Sequence, residues 1–90
     1  MESVFSGSKE CWECGTTSGL HEHHIFMGPD RDASEKHGLK LYLCFKHHEQ
    51  VHMHPNTGLD KELKEMGQRY YLANIGCLDD FRAEFRKSYL

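Results

Sequence analysis

Two short pairs of metal-ligating residues constrain this chain before anything else does. Cys11-Trp12-Glu13-Cys14 near the N-terminus and Cys44-Phe45-Lys46-His47 at mid-chain each present two donors three positions apart. At that spacing one turn of chain offers both donors to a single tetrahedral ion. Neither pair completes a site alone. The set Cys11, Cys14, Cys44 and His47 therefore points to a structural Zn2+ that closes a loop made of residues 15–43. Gly15 suits the tight knuckle that turns both thiolates toward one metal. The competing reading keeps Cys44 as a buried, apolar-like cysteine and leaves the first pair to bind metal or oxidise by itself. Against a redox role, Gly15-Thr16-Thr17-Ser18-Gly19 follows the pair, and that is loop chemistry rather than a helix start.

At 90 residues the chain is one domain, 1–90, small enough that a staple is wanted to supplement its core. A hydrophobic fraction of 38% is too high for disorder. The formal charge of −3 excludes a broad basic field, so nucleic acid would have to be met by a local basic patch or a bound cation. No apolar stretch has signal-peptide or membrane-span length, which sets the expectation of a cytoplasmic protein with no membrane partner. In that compartment cysteines favour metals over disulfides.

Inside the loop, Leu20-His21-Glu22-His23-His24-Ile25-Phe26-Met27 reads as a strand ended by the Gly28-Pro29 turn. Alternation puts His21, His23 and Ile25 on one face and Glu22, His24 and Phe26 on the other. Residues 30–38 form a polar connection with one helical turn from Ser34 that Gly38 ends. A second strand over 39–43 leads into a short helix from Phe45 to His54, stopped by Pro55-Asn56-Thr57-Gly58. On that helix His48 and His52 stand one turn apart on one face and can grip a second metal or a phosphate. The result is an α+β fold with a zinc-stapled ββα core at about 11–54.

Beyond the core, Leu59, Leu63, Met66 and Tyr70 recur at helical spacing. Asp79 or Asp80 opens a last helix carrying Leu78, Phe81, Phe85 and Tyr89 on one face. These stripes predict a helical extension over about 59–90 packed on the core, with Cys77 a packed thiol. The basic residues Lys64, Arg69, Arg82, Arg86 and Lys87 form a candidate edge for a DNA backbone, although Glu62, Glu65 and Glu84 interleave with them as on an ordinary solvated face.

The order CxxC, His-His-Ile, then Leu-Cys-x-x-His-His-x-x-x-His resembles the HNH endonucleases, the ββα-metal (His-Me finger) nucleases. The likeness is to their zinc-stapled form in phages and mobile elements, and the order is also similar to phage recombination-associated HNH-like nucleases. It spans roughly Cys11 to His54. The resemblance implies that His23 ligates a catalytic divalent cation together with His48 and His52, and that His24 is the general base. It further implies DNA as substrate, for which Arg82, Arg86 and Lys87 of the basic edge, outside the span of the resemblance, are the candidate contacts. The asparagine such proteins usually place shortly before the second strand is Leu39 here, so a backbone carbonyl or His37 is the expected replacement for orienting the base.

The chemistry suits these residue types. An imidazole with an unperturbed pKa of about 6.5 accepts a proton from water near neutrality. One cation on imidazole ligands stabilises the charge on phosphate and leaving oxygen, and the donor set favours Mn2+, Ni2+, Co2+ or Zn2+ over Mg2+. The expected activity is metal-dependent endonuclease or nickase hydrolysis of phosphodiester bonds. The alternative is a catalytically weak HNH-like module that binds nucleic acid or a phage or host protein; a purely structural zinc domain would leave His23-His24 without a purpose.

Overall fold

Leucines at alternate positions put one face of Lys40–Cys44 in the core, and this segment forms strand β2 against β1, Leu20–His24, in the computed structural model of the chain, which describes residues 2–90. The pairing is antiparallel, with His23 opposite Leu41 and His24 opposite Lys40. Paired residues share a face, so His23 sides with Leu41 while His24 and Glu22 side with Lys40 and Tyr42. Among the described residues there are four α-helices, α1 (Arg31–Lys36) between the two strands and α2 (Phe45–Met53), α3 (Gly58–Asn74) and α4 (Leu78–Phe85) after them. The fold is thus α+β, a two-stranded antiparallel sheet with four helices. No helix among the described residues is long and apolar enough to cross a membrane.

The connection between the strands is more ordered than its polar sequence predicts. A 3-10 turn at Gly28–Asp30 leads directly into α1, which starts at Arg31 rather than at Ser34. Ser34 is instead buried and works as a clasp: its hydroxyl donates to the Leu39 carbonyl (2.5 Å) and accepts from the Phe26 N–H (3.3 Å). Gly38 sits at φ 70°, and a Cβ there would lie 2.3 Å from the Glu2 carbonyl oxygen, so the chain has no room for a side chain at this turn. The first strand also ends at His24, earlier than Met27. Beyond it Ile25 and Phe26 leave the ribbon and drop into the core.

Phe26 links the two halves of the molecule. Its ring lies 4.5 Å from Phe85, 5.3 Å from Tyr89 and 5.6 Å from Phe81, centroid to centroid. Gly67 on α3 makes this possible, because a Cβ there would stand 3.0 Å from the Phe26 ring. Of the expected stripe on α3, Leu59 and Leu63 are buried while Met66 and Tyr70 are half-buried. The buried arc extends to Gly67, Gln68 and Tyr71 because α3 packs against α2 on one side and α4 on the other.

Four expectations for the C-terminal region are corrected. Cys77 is exposed and not a packed thiol: it caps α4, and its N–H donates to the Asp80 carboxylate (3.0 Å). Asp80 therefore stands inside the first turn rather than at the cap. Leu78 falls outside the buried face because the helix buries only Phe81 and Phe85 against α3. Lys64 is no part of a basic edge, since it is buried and paired with the fully buried Asp60 (2.8 Å) and donates to Asn56 (2.9 Å).

Asp60 also accepts the Asn56 N–H (2.6 Å), tying the α2–α3 turn to α3. Replacing Asp60 by Ala strands the Lys64 charge in the interior, and urea unfolding should show a loss of about 3 kcal/mol. A loss below about 1 kcal/mol would mean that the pair is not the constraint described.

Candidate metal centres

The knuckle at Cys11–Cys14 is built by backbone. The Cys11 N–H donates to the Thr16 carbonyl and the Gly15 N–H to the Cys11 carbonyl (both 2.8 Å), with Gly15 at φ 78°. The Trp12 N–H then donates to the Tyr42 carbonyl (2.8 Å), which docks the knuckle on the free edge of β2. Cys44 ends that strand and caps α2, and His47 lies in the first turn of the helix.

The four side chains converge: Cys14 Sγ to Cys44 Sγ is 3.8 Å, Cys11 Sγ to His47 Nδ1 is 3.6 Å, and Cys44 Sγ to His47 Nδ1 is 3.2 Å. Tetrahedral donors with metal–sulfur bonds of about 2.3 Å and metal–nitrogen bonds of about 2.0 Å stand about 3.8 Å and 3.6 Å apart, so two of these distances match such an ion while Cys44 and His47 would have to part by a few tenths of an ångström, and the cluster could hold a metal. All four cysteines of the chain are free thiols. Burial raises the Cys11 thiol, but N–H groups of Cys44, Cys14 and Glu13 outweigh it and bring the pKa down to about 6. Cys14 moves the other way: backbone at Thr16 lowers it, but burial and the neighbouring Cys11 and Cys44 together raise it. Of the two thiols of the knuckle, Cys11 is thus the one that ionises more readily, and the thiolate is the form that ligates a metal.

A second cluster joins β1 to α2. His23, His48 and His52 each bring a ring nitrogen within 4.8 Å of the others. His48 and His52, one turn apart, approach to 3.1 Å through their Nε2 atoms. His23 is 1% exposed and its Nε2 has no hydrogen-bond partner, an orphaned polar atom in a buried place. Burial above all, with His48 and His52 next, drives its pKa down to about 3, so it keeps a free lone pair at neutral pH. The unfolded imidazole titrates near 6.5. His23 therefore favours the folded state fully above that value, and the contribution is lost as pH falls toward 3. Burial and the neighbouring His52 and His21 lower His48 as well.

His24 lies on the opposite face of β1, yet it lines the same cleft. This cleft of about 330 Å3 is bordered by Glu22, His23, His24, Met27, Gly28, Arg31, His48 and His52. His24 Nε2 faces Glu35 Oε2 at 3.3 Å, and Glu35 in turn binds the buried Lys40 (2.6 Å). Glu22, His24 and Glu35 also bring ligand atoms within 4.8 Å of one another. Here, however, Lys40 already supplies the positive charge.

Neither expected substitute for the missing asparagine meets His24. His37 pairs with Glu84 (2.9 Å), which also accepts the Tyr71 hydroxyl (2.6 Å), and among the described residues the His24 ring bonds to the Glu35 carboxylate rather than to a backbone carbonyl. Glu35 and Arg31 are the residues that sequence reasoning missed. Both lie in a connection read as solvated, and the only available signal was a short acidic helical turn between the strands. His21 is exposed and stacks on His48 (5.0 Å, 9°), while His54 is exposed at the end of α2. Arg82, Arg86 and Lys87 are exposed, but Arg86 is bound to Asp30 (2.6 Å) and Lys87 lies over the Tyr89 ring (4.8 Å).

Titration with Co2+ should give the intense thiolate charge-transfer absorption of a cysteine-bound ion, and Cys44→Ser should lose it. Apparent affinity should rise with pH above neutrality, as Cys14 gives up its proton, and fall steeply below about 6, as Cys11 becomes protonated. A pH-independent affinity would contradict this ligand set. Comparisons with protein-family models, with curated proteins and with solved structures find no match for the chain.

Proposed function

We propose that the protein is a metal-dependent DNA endonuclease or nickase of the HNH type, stapled by zinc at Cys11, Cys14, Cys44 and His47. The observation that carries the reading is His23: buried, neutral, its Nε2 without a partner, and grouped with His48 and His52 beside a cleft that His24 also lines. A polar atom left unsatisfied in this way costs about 1–3 kcal/mol, a cost that a bound cation removes.

His23, His48 and His52 would hold the catalytic cation, which supplies Lewis-acid charge to the scissile phosphate and the leaving oxygen when bound. His24 takes the proton from the attacking water. Its place on the other face of β1 keeps it off the metal while leaving it at the same cleft. Arg31, exposed on the rim, adds a guanidinium suited to phosphate. All three metal donors are imidazoles, so Mn2+, Ni2+, Co2+ or Zn2+ should serve better than Mg2+. The cation would also supply positive potential that a chain of net charge −3 otherwise lacks.

One observation favours the second reading, a module that binds nucleic acid or a partner protein without cutting. Two of the cations proposed for a DNA edge, Lys64 and Arg86, are committed to Asp60 and Asp30.

Plasmid cleavage by zinc-loaded protein, with Mn2+, Ni2+ and Mg2+ added in turn, separates the two. The wild type should nick or linearise the plasmid, best with Mn2+ or Ni2+. His24→Ala should lose at least about 100-fold in rate while keeping its melting temperature. His23→Ala should lose binding of the second cation. A folded wild type that is inert with every metal would leave the binding module standing.

A further inference from the structure

On the strength of the nuclease reading, we propose that Glu35 is the positioning residue of the general base, its carboxylate holding the His24 ring through Nε2 in place of an asparagine amide. The two atoms lie 3.3 Å apart. A carboxylate only accepts, so the proton between them belongs to His24 Nε2, and the ring's lone pair is left on Nδ1. That tautomer is the one a base needs when its Nε2 side is engaged with protein.

Three features make the contact more than an incidental surface pair. His24 is 7% exposed, so its ring has little freedom to find another partner. Glu35 is half-exposed, but it is anchored from behind by Lys40, whose ammonium stands 2.6 Å away and is itself buried. Lys40 lies directly across the ribbon from His24, and Glu22 (3.5 Å) is its second carboxylate partner, so ribbon register fixes the ammonium, the ammonium fixes Glu35, and Glu35 fixes the imidazole. The Lys40 partnership also holds the Glu35 carboxyl below its ordinary range, keeping it ionised and accept-only at neutral pH. Ser34, clasped between Phe26 and Leu39, sets the start of this arrangement from the adjacent position on α1.

The mechanism gains a charge as well as an orientation. When His24 takes the water proton at Nδ1 it becomes an imidazolium, and the Glu35 carboxylate stabilises that cation while remaining ionised itself. An amide in the same place would orient the ring but not neutralise it. Lys40 moderates the effect by sharing the carboxylate.

The test compares full-length, zinc-loaded wild type, Glu35→Ala, Glu35→Gln and His24→Ala by two readouts. Side-chain 15N NMR of His24 should show the Nε2–H tautomer in the wild type and in Glu35→Gln, whose amide oxygen still accepts, and a loss of that preference in Glu35→Ala. Single-turnover plasmid cleavage with Mn2+ should slow at least about tenfold in Glu35→Ala with half-saturating DNA unchanged, and recover part of that loss in Glu35→Gln. Wild-type rate in Glu35→Ala, or a slowed rate with the His24 tautomer intact, would overturn the proposal, the latter because Glu35 would then act through the fold alone. If Glu35→Ala does not fold, a Glu35→Gln protein without the Nε2–H preference overturns it equally. A wild type inert with every metal counts against the nuclease reading instead, while the tautomer still decides whether Glu35 holds His24.

Discussion

A ribbon of two five-residue strands does not persist in water by itself, and the pairing of Leu20–His24 with Lys40–Cys44 survives here because it is held at both ends. At one end Cys44 belongs both to the last pair of the ribbon and to the Cys/His cluster, with the knuckle docked on the edge of β2 through Trp12. At the other end Ile25 and Phe26 leave the ribbon and are locked among α3, α4 and the C-terminal Tyr89. Metal binding at the first end would be worth folding free energy, since an unfolded chain does not preform the site.

Because the ribbon is held in register, its pleat sorts chemistry by face. His23 joins the leucine face and meets α2, where burial strips it of water and of hydrogen-bond partners. His24 joins Lys40 and Glu22 and meets α1, where it finds a carboxylate. A one-residue slip would exchange the two environments. Two adjacent and chemically identical residues thus end up as a neutral, partnerless donor and a held, oriented ring around one cleft, a division that neither could achieve in a flexible loop.

The helical extension supports this site at a distance. Phe81 and Phe85 seat Phe26, and Glu84 gathers His37, Tyr71 and Lys36, which secures the end of the β1–β2 connection. Arg86, at φ 71° past the end of α4, reaches Asp30 in the turn before α1. The C-terminal residues that looked like a DNA-facing edge are thus in part braces for the loop that borders the cleft.

The spacing of Cys11, Cys14, Cys44 and His47, the i, i+4 relation of His48 and His52 and the alternation through His23 and His24 were legible in the chain, because ligand spacing and secondary-structure period are local properties. Element order followed from the same patterns. Tertiary structure alone decided which carboxylate meets which cation: Glu35 reaches His24 through the packing of α1 on the ribbon, His37 turns away to Glu84, and Lys64 and Arg86 are drawn into ion pairs. The chain also gave no sign that Cys77 would be a cap rather than core. Such pairings depend on how surfaces distant in sequence come together, and a charged residue in a polar stretch carries no mark of its eventual partner until desolvation and geometry select one.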